Sequence, residues 1–168
     1  MKNINPATKY LTQGAAIAAL YVALTLVFAP ISFGPMQLRV SEALTILPLF
    51  TPAAIPGLFI GCLLANLLGG CAVLDIVLGS VATLIGAALG YVLRKNRWLV
   101  PIPAIVSNGL IIPFVLRVAY GIPDSYLLLV VYITAGEIGG CYVLGELLAT
   151  VLLRSRKKIF ESESGDGE

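Results

Sequence analysis

Residues 73–93 read VLDIVLGSVATLIGAALGYVL, an apolar run with Asp75 as its single charge, and the chain turns basic directly afterwards at Arg94, Lys95 and Arg97. Roughly 20 apolar residues are needed to cross a hydrocarbon core about 30 Å thick. The run therefore predicts a membrane-spanning helix that ends at a charged surface. Similar runs flank it near 10–30, 37–54, 55–71, 98–118 and 126–153. A composition of 58% hydrophobic and 12% charged residues, with mean hydropathy +0.95, lies outside the range of soluble domains. We expect an all-α membrane protein of six transmembrane helices, a single transmembrane domain over 1–153. A basic then acidic tail over 154–168 is expected to be unstructured.

With both ends on one side of the membrane, that side holds nine of the 11 Lys and Arg residues, and only Arg39 and Arg117 lie opposite. The positive-inside rule then places both termini in the cytoplasm. No small-residue cleavage site clearly follows the first run, so that run is expected to persist as a helix. Trp98, beside the basic turn, reads as an interfacial anchor.

Several chemistries are disfavoured by what the chain contains. There is no His, so the commonest metal ligand and general base is missing. No G-x-x-x-x-G-K-[ST] stretch occurs, so an ATP-driven process needs the ATPase of another subunit. Cys62, Cys71 and Cys141 form no C-x-x-C pair and read as small buried hydrophobes. No metal, no cofactor and no catalytic residue is expected.

Small residues recur at every fourth position: Ala15, Ala19 and Ala23 on the first helix, Gly57, Gly61, Ala65 and Gly69 on the third, and Ala82, Gly86 and Gly90 on the fourth. Such stripes let helix backbones approach closely in lipid. Internal packing is expected for the third and fourth helices. The first serves either the interior or a partner helix.

An ionised side chain near the bilayer centre costs at least about 2.5–3.5 kcal/mol, so those present are normally paired, facing a cavity, or functional. Gln37, Arg39, Glu42, Asn66, Asp75 and Arg117 all fall toward the outer third of the membrane and can converge on one outward-facing pocket, with Asn108 as a further member. Glu137, roughly 16 Å along its helix from Tyr126 at 1.5 Å per residue, is placed to form the pocket floor. Glu146 faces away from Glu137 by helical arithmetic and is read as structural or partner-facing. Arg39 and Glu42, three apart, can equally form a salt bridge with each other. Asp75 can equally cap its own helix.

Three stretches carry a family resemblance. GPMQLRVSEALTILPLFTPAAIPGLFIGCLLANLLGG (34–70), LDIVLGSVATLIGA (74–87) and GEIGGCYVLGELL (136–148) resemble the QueT family, the substrate-binding membrane subunits (S components) of energy-coupling factor (ECF) transporters for queuosine precursors. The most specific part is QLRVSEALTILP, Gln37 to Pro48, and the match around PIPAIVSNGLIIP (101–113) is weaker. The resemblance implies a six-helix bundle in a bacterial cell membrane. It also implies a membrane scaffold subunit and two cytoplasmic ATPase subunits as partners, with Ala15, Ala19 and Ala23 meeting the scaffold. The implied solute is a 7-deazaguanine: preQ1, preQ0 or queuine.

That solute is chemically compatible with the polar residues. The N1–H and exocyclic amine of a 7-deazaguanine form a two-donor edge that a carboxylate such as Glu137 or Glu42 accepts. Asn66, Gln37, Asn108 and Arg39 can donate to its acceptors. Phe33, Tyr120, Tyr126 or Tyr132 can stack on the base, although Tyr120 and Tyr126 also suit an interfacial belt. An S component for another vitamin or nucleobase, and a membrane assembly protein without a solute, are the alternatives.

Overall fold

Asn5 and Pro6 start the first helix: the Asn5 Oδ1 accepts from the Ala7 amide at 3.0 Å, and Pro6 occupies a first-turn position where its missing N–H costs nothing. α1 runs Pro6–Val27, and a single further turn, α2, spans Ala29–Ser32. The molecule is described by a computed structural model over residues 5–33 and 37–165, with side chains as far as Ser155. Lys2, Pro35, the side chains of Arg156, Lys157 and Lys158, and the last three residues of the tail lie outside the described residues.

The second expected segment is a 3₁₀ helix, Val40–Leu49, with Pro48 inside it. Runs of this type are normally three or four residues long, and at about 2.0 Å per residue this one rises only about 20 Å. It does not cross a membrane unaided. Gln37, just ahead of it, holds φ +44°, a left-handed conformation uncommon for a non-glycine residue. α3 (Ala54–Leu68) is also short, at 15 residues.

The remaining elements are α4 (Val73–Val92), a 3₁₀ turn at Arg97–Leu99, α5 (Ile102–Ala119), α6 (Tyr126–Glu137), a π-helical stretch at Ile138–Leu144, and α7 (Gly145–Gly165). Among the described residues there is no strand. The six expected segments thus meet seven α-helices, because α2 breaks off from α1, the second segment is 3₁₀, and the π stretch divides the last run. Among the described residues, four runs are long and apolar enough to cross a membrane: Pro6–Val27, Val73–Val92, Arg97–Ala119 and Tyr126–Ser155. α7 continues helically to Gly165, into the stretch expected to be unstructured.

Glycines set the closest helix contacts. A Cβ on Gly86 would lie 2.6 Å from the Cα of Ala104, and one on Gly90 would lie 2.8 Å from the Val100 carbonyl oxygen, so α4 and α5 touch backbone to backbone. Gly57 and Gly61 do the same for α3 against Gly14, Ala18 and Tyr21 of α1. The fourth-helix stripe packs internally, and so does the third-helix one as far as Ala65, whereas Gly69 is exposed at its end. The 3₁₀ segment occupies the centre, with Glu42 and Ile46 buried, and contacts α1, α3, α4, the π stretch and α7.

Candidate functional site

A cavity of about 510 Å³ opens where the α3–α4 turn, the end of α5 and the start of α6 meet. Phe33, Tyr120 and Tyr132 provide aromatic wall, Gly69 to Cys71 the rim, and Gln37, Asp75 and the exposed Asp124, which sequence reasoning did not single out, the polar lining. Its size falls within the roughly 300–1,000 Å³ of small-molecule sites.

All seven candidate residues, Gln37, Arg39, Glu42, Asn66, Asp75, Asn108 and Glu137, are buried. Only Gln37 and Asp75 line the cavity itself. The others stand behind it in two connected groups. In the first, Arg39 donates through Nη2 to Gln37 Oε1 at 3.3 Å and through Nη1 to Cys62 Sγ at 3.9 Å, with Phe33 5.7 Å from its guanidinium carbon. Asn66 donates to the same sulfur at 3.7 Å and to the Asp75 carbonyl at 3.4 Å. Tyr120 donates to Asp75 Oδ2 at 2.9 Å and accepts from the Ala72 amide at 3.1 Å. Burial, with Asp75 beside it, pushes the Tyr120 hydroxyl above its ordinary value and keeps it a donor.

The second group is deeper. Tyr21 donates to Glu42 Oε1, and the Cys141 thiol lies 3.0 Å from Glu137 Oε2 and 3.8 Å from Glu42 Oε2. Thr25 joins α1 to the 3₁₀ segment through the Ser41 hydroxyl at 2.7 Å. Asn108 adjoins Glu137 from α5. Glu137 is therefore below the cavity rather than part of its wall.

Among the described residues, four buried polar atoms in these groups have no hydrogen-bond partner: Arg39 Nε, Asn66 Oδ1, Asp75 Oδ1 and Asn108 Nδ2. Leaving such an atom unsatisfied costs about 1–3 kcal/mol. Gly79 adds space at this point, since a Cβ there would sit 3.1 Å from Asn66 Nδ2 and 3.2 Å from Asp75 Oδ1.

Several expectations are corrected. Arg39 and Glu42 do not pair; a 3₁₀ backbone and separate neighbours send them to Gln37 and Tyr21 instead. Arg117 is exposed, outside the cluster. Tyr126 is exposed and donates to the Leu110 carbonyl, away from the cavity. Glu146, by contrast, agrees with the structural role expected of it, since it meets Arg97 at 2.7 Å. Cys62 and Cys141 are not inert hydrophobes, because their sulfurs join the two polar groups. Sequence reasoning missed Tyr21 as well. The available signal was spacing: Cys141 is four residues after Glu137 and Cys62 four before Asn66, so each shares a helix face with a polar candidate.

A family model described as QueT transporter matches residues 11–154. The chain belongs to the QueT transporter family. Together with its apolar helices, this marks it as a multi-pass membrane protein of that family. A QueT relative, the queuosine precursor transporter QueT of Lactococcus lactis subsp. cremoris (strain MG1363), is 41% identical over 81 residues. That match covers 47% of this chain and 47% of the relative, so the chain spans about half the length of the curated relative it matches. No solved structure matches.

Proposed function

We infer that the chain is the solute-binding S component of an ECF transporter and that it imports a queuosine precursor of the 7-deazaguanine class. The observation that supports this best is the set of unpartnered atoms around the cavity. Asp75 Oδ1, on the cavity wall, is an unpartnered acceptor for a solute N–H, and directly behind that wall Asn66 Oδ1 and Arg39 Nε are also without partners among the described residues. Phe33, Tyr120 and Tyr132 supply faces for a flat base. In this reading Asp75 supplies an acceptor to the solute's two-donor edge through Oδ1, its Oδ2 being held by Tyr120, since Asp75 reaches the cavity and Glu137 does not.

The cytoplasmic placement of both termini follows from the Lys and Arg bias, and the cavity then faces outward. On the lipid-facing side, α1 and α3 enclose an apolar groove of about 650 Å³ lined by Ala15, Ala19 and Ala23, all exposed. Small residues there suit close approach of a scaffold helix. The ATP is hydrolysed by partner subunits.

Thermal unfolding of the detergent-purified chain against a solute panel tests the reading. PreQ1, preQ0 or queuine should raise the midpoint by mass action, whereas unrelated vitamins should not. Stabilisation by another vitamin alone would reassign the solute. For the partner face, Ala19→Trp should abolish co-purification with the scaffold while solute stabilisation is retained; normal assembly would remove the groove from the docking surface.

A further inference from the structure

The loop between α5 and α6 is fixed on both sides of Asp124. Gly121 turns the chain out of α5 at φ +62°, the Ile122 amide donates to the Leu116 carbonyl at 3.2 Å, and the Ser125 hydroxyl accepts from the Leu128 amide at 3.3 Å to cap α6. Asp124 is held between these points, exposed and on the cavity lining, and it is not the residue that caps the helix. The same cavity is lined by Asp75, which is 2% exposed and keeps Oδ1 without a partner among the described residues. No Lys or Arg lines it. Arg39, behind the wall, donates to Gln37 and Cys62, and the only ion pair among the described residues is Arg97 with Glu146. Two carboxylates and no cation therefore face one space of about 510 Å³. A cleft lined by one sign of charge, with apolar walls, focuses its field on the entrance.

We propose that Asp124 is a specificity-determining residue at the mouth of this cavity, where its carboxylate draws in solutes that carry a positive charge and disfavours those that carry a negative one. Applied to the solute, this rests on the solute-binding reading given above; applied to the field of the cavity, it stands without it. Asp75 acts on a bound solute at contact range, through a buried acceptor. Asp124 acts from an exposed position, so its contribution is that of an exposed ion pair, modest and screened by salt. An acid ahead of α6 also suits the helix dipole. That role alone would change stability without changing which charge enters the cavity.

Cys71 provides a readout that needs no solute. It is half-buried on the cavity rim, whereas Cys62 and Cys141 are buried. A cationic and an anionic alkyl methanethiosulfonate each form a mixed disulfide with its thiolate and release a sulfinate, so the ratio of the two rates cancels the thiolate fraction and reports the local potential. The cationic reagent should react faster with the wild type, and Cys71→Ser should abolish the labelling. Asp124→Asn should lower the ratio about two- to fivefold, the size of an exposed ion pair. The difference between wild type and variant should vanish near about 1 M salt, where the Debye length is about 3 Å. In calorimetry, Asp124→Asn should weaken the aminomethyl precursor by the same about two- to fivefold and leave the nitrile precursor unchanged. If neither precursor binds the wild type, the solute reading fails, and the Cys71 ratio still decides on Asp124. A ratio that Asp124→Asn leaves unchanged, or an equal loss of affinity for both precursors, would overturn the inference.

Discussion

The two ends of the bundle handle buried charge in opposite ways. At the end where α4 meets α5, Glu146 is 10% exposed and meets Arg97 at 2.7 Å, while Arg97 also donates to the Thr150 hydroxyl at 3.1 Å and stacks 4.5 Å from the Trp98 ring. At the other end, Asp75, like Glu146, keeps one carboxylate oxygen without a partner among the described residues, but its other oxygen meets the Tyr120 hydroxyl rather than a cation, and it lies on the wall of a cavity. A paired buried charge holds the fold together. One left incomplete beside open space is suited to a ligand, because the missing partner can come from outside.

The largest effect should come from breaking the closed end. Arg97→Met keeps apolar length but leaves Glu146 buried without a cation. Removing one partner of a fully buried pair costs roughly 3–5 kcal/mol, and Arg97 is 29% exposed, so a loss of about 3 kcal/mol is expected. Chemical or thermal unfolding in detergent should show it. Solute affinity measured on the folded fraction should be unchanged. A parallel loss of affinity would mean the two ends are coupled and the contrast is false.

The open end should give the reverse outcome. Asp75→Asn removes a charged acceptor from the cavity while relieving a buried carboxylate that lacks a cation. Hydrogen bonds to charged groups are worth about 1.5–3 kcal/mol, so affinity for the aminomethyl precursor should fall at least about tenfold, with stability unchanged or higher. The uncharged nitrile precursor should lose less, since it offers no ammonium. Calorimetry with both solutes decides: an equal loss for the two would remove the ammonium contact and leave only the guanine-like edge at Asp75.

Sequence made this contrast only partly visible. The apolar runs and the small-residue spacing carried α1, α4 and α5, because helix period and bilayer length are written in local pattern. Pattern did not show that the last run contains a π stretch, which lacks a local propensity signal and arises where Gly140 packs on the backbone of Arg39, at 2.7 Å for an added Cβ. In sequence Arg97 is one of several basic residues at a helix end, and nothing local points to its pairing with Glu146, 49 residues away. The identical four-residue spacing of Ala15, Ala19 and Ala23 and of Ala82, Gly86 and Gly90 hides another difference. The first stripe lines an exposed groove and the second is closed against α5. Spacing states that a backbone can be approached, not which surface approaches it.

The smallest predicted effect separates space from charge at the open end. Gly79 lies inside α4, where Gly is disfavoured relative to Ala by roughly 0.5–1 kcal/mol, so Gly79→Ala gains helix stability if the added methyl can be housed. That methyl would stand 3.1 Å from Asn66 Nδ2 and 3.2 Å from Asp75 Oδ1, displacing by a few tenths of an ångström the side chains assigned to the solute. Overpacking of this kind costs about 1 kcal/mol at its lower limit, which cancels most of the helix gain and falls on the geometry of the two acceptors. The unfolding midpoint should therefore be nearly unchanged while solute affinity drops about fivefold. If affinity is unchanged as well, the space beside Gly79 serves helix packing alone, and Asp75 and Asn66 hold the solute, if at all, by atoms that do not face it.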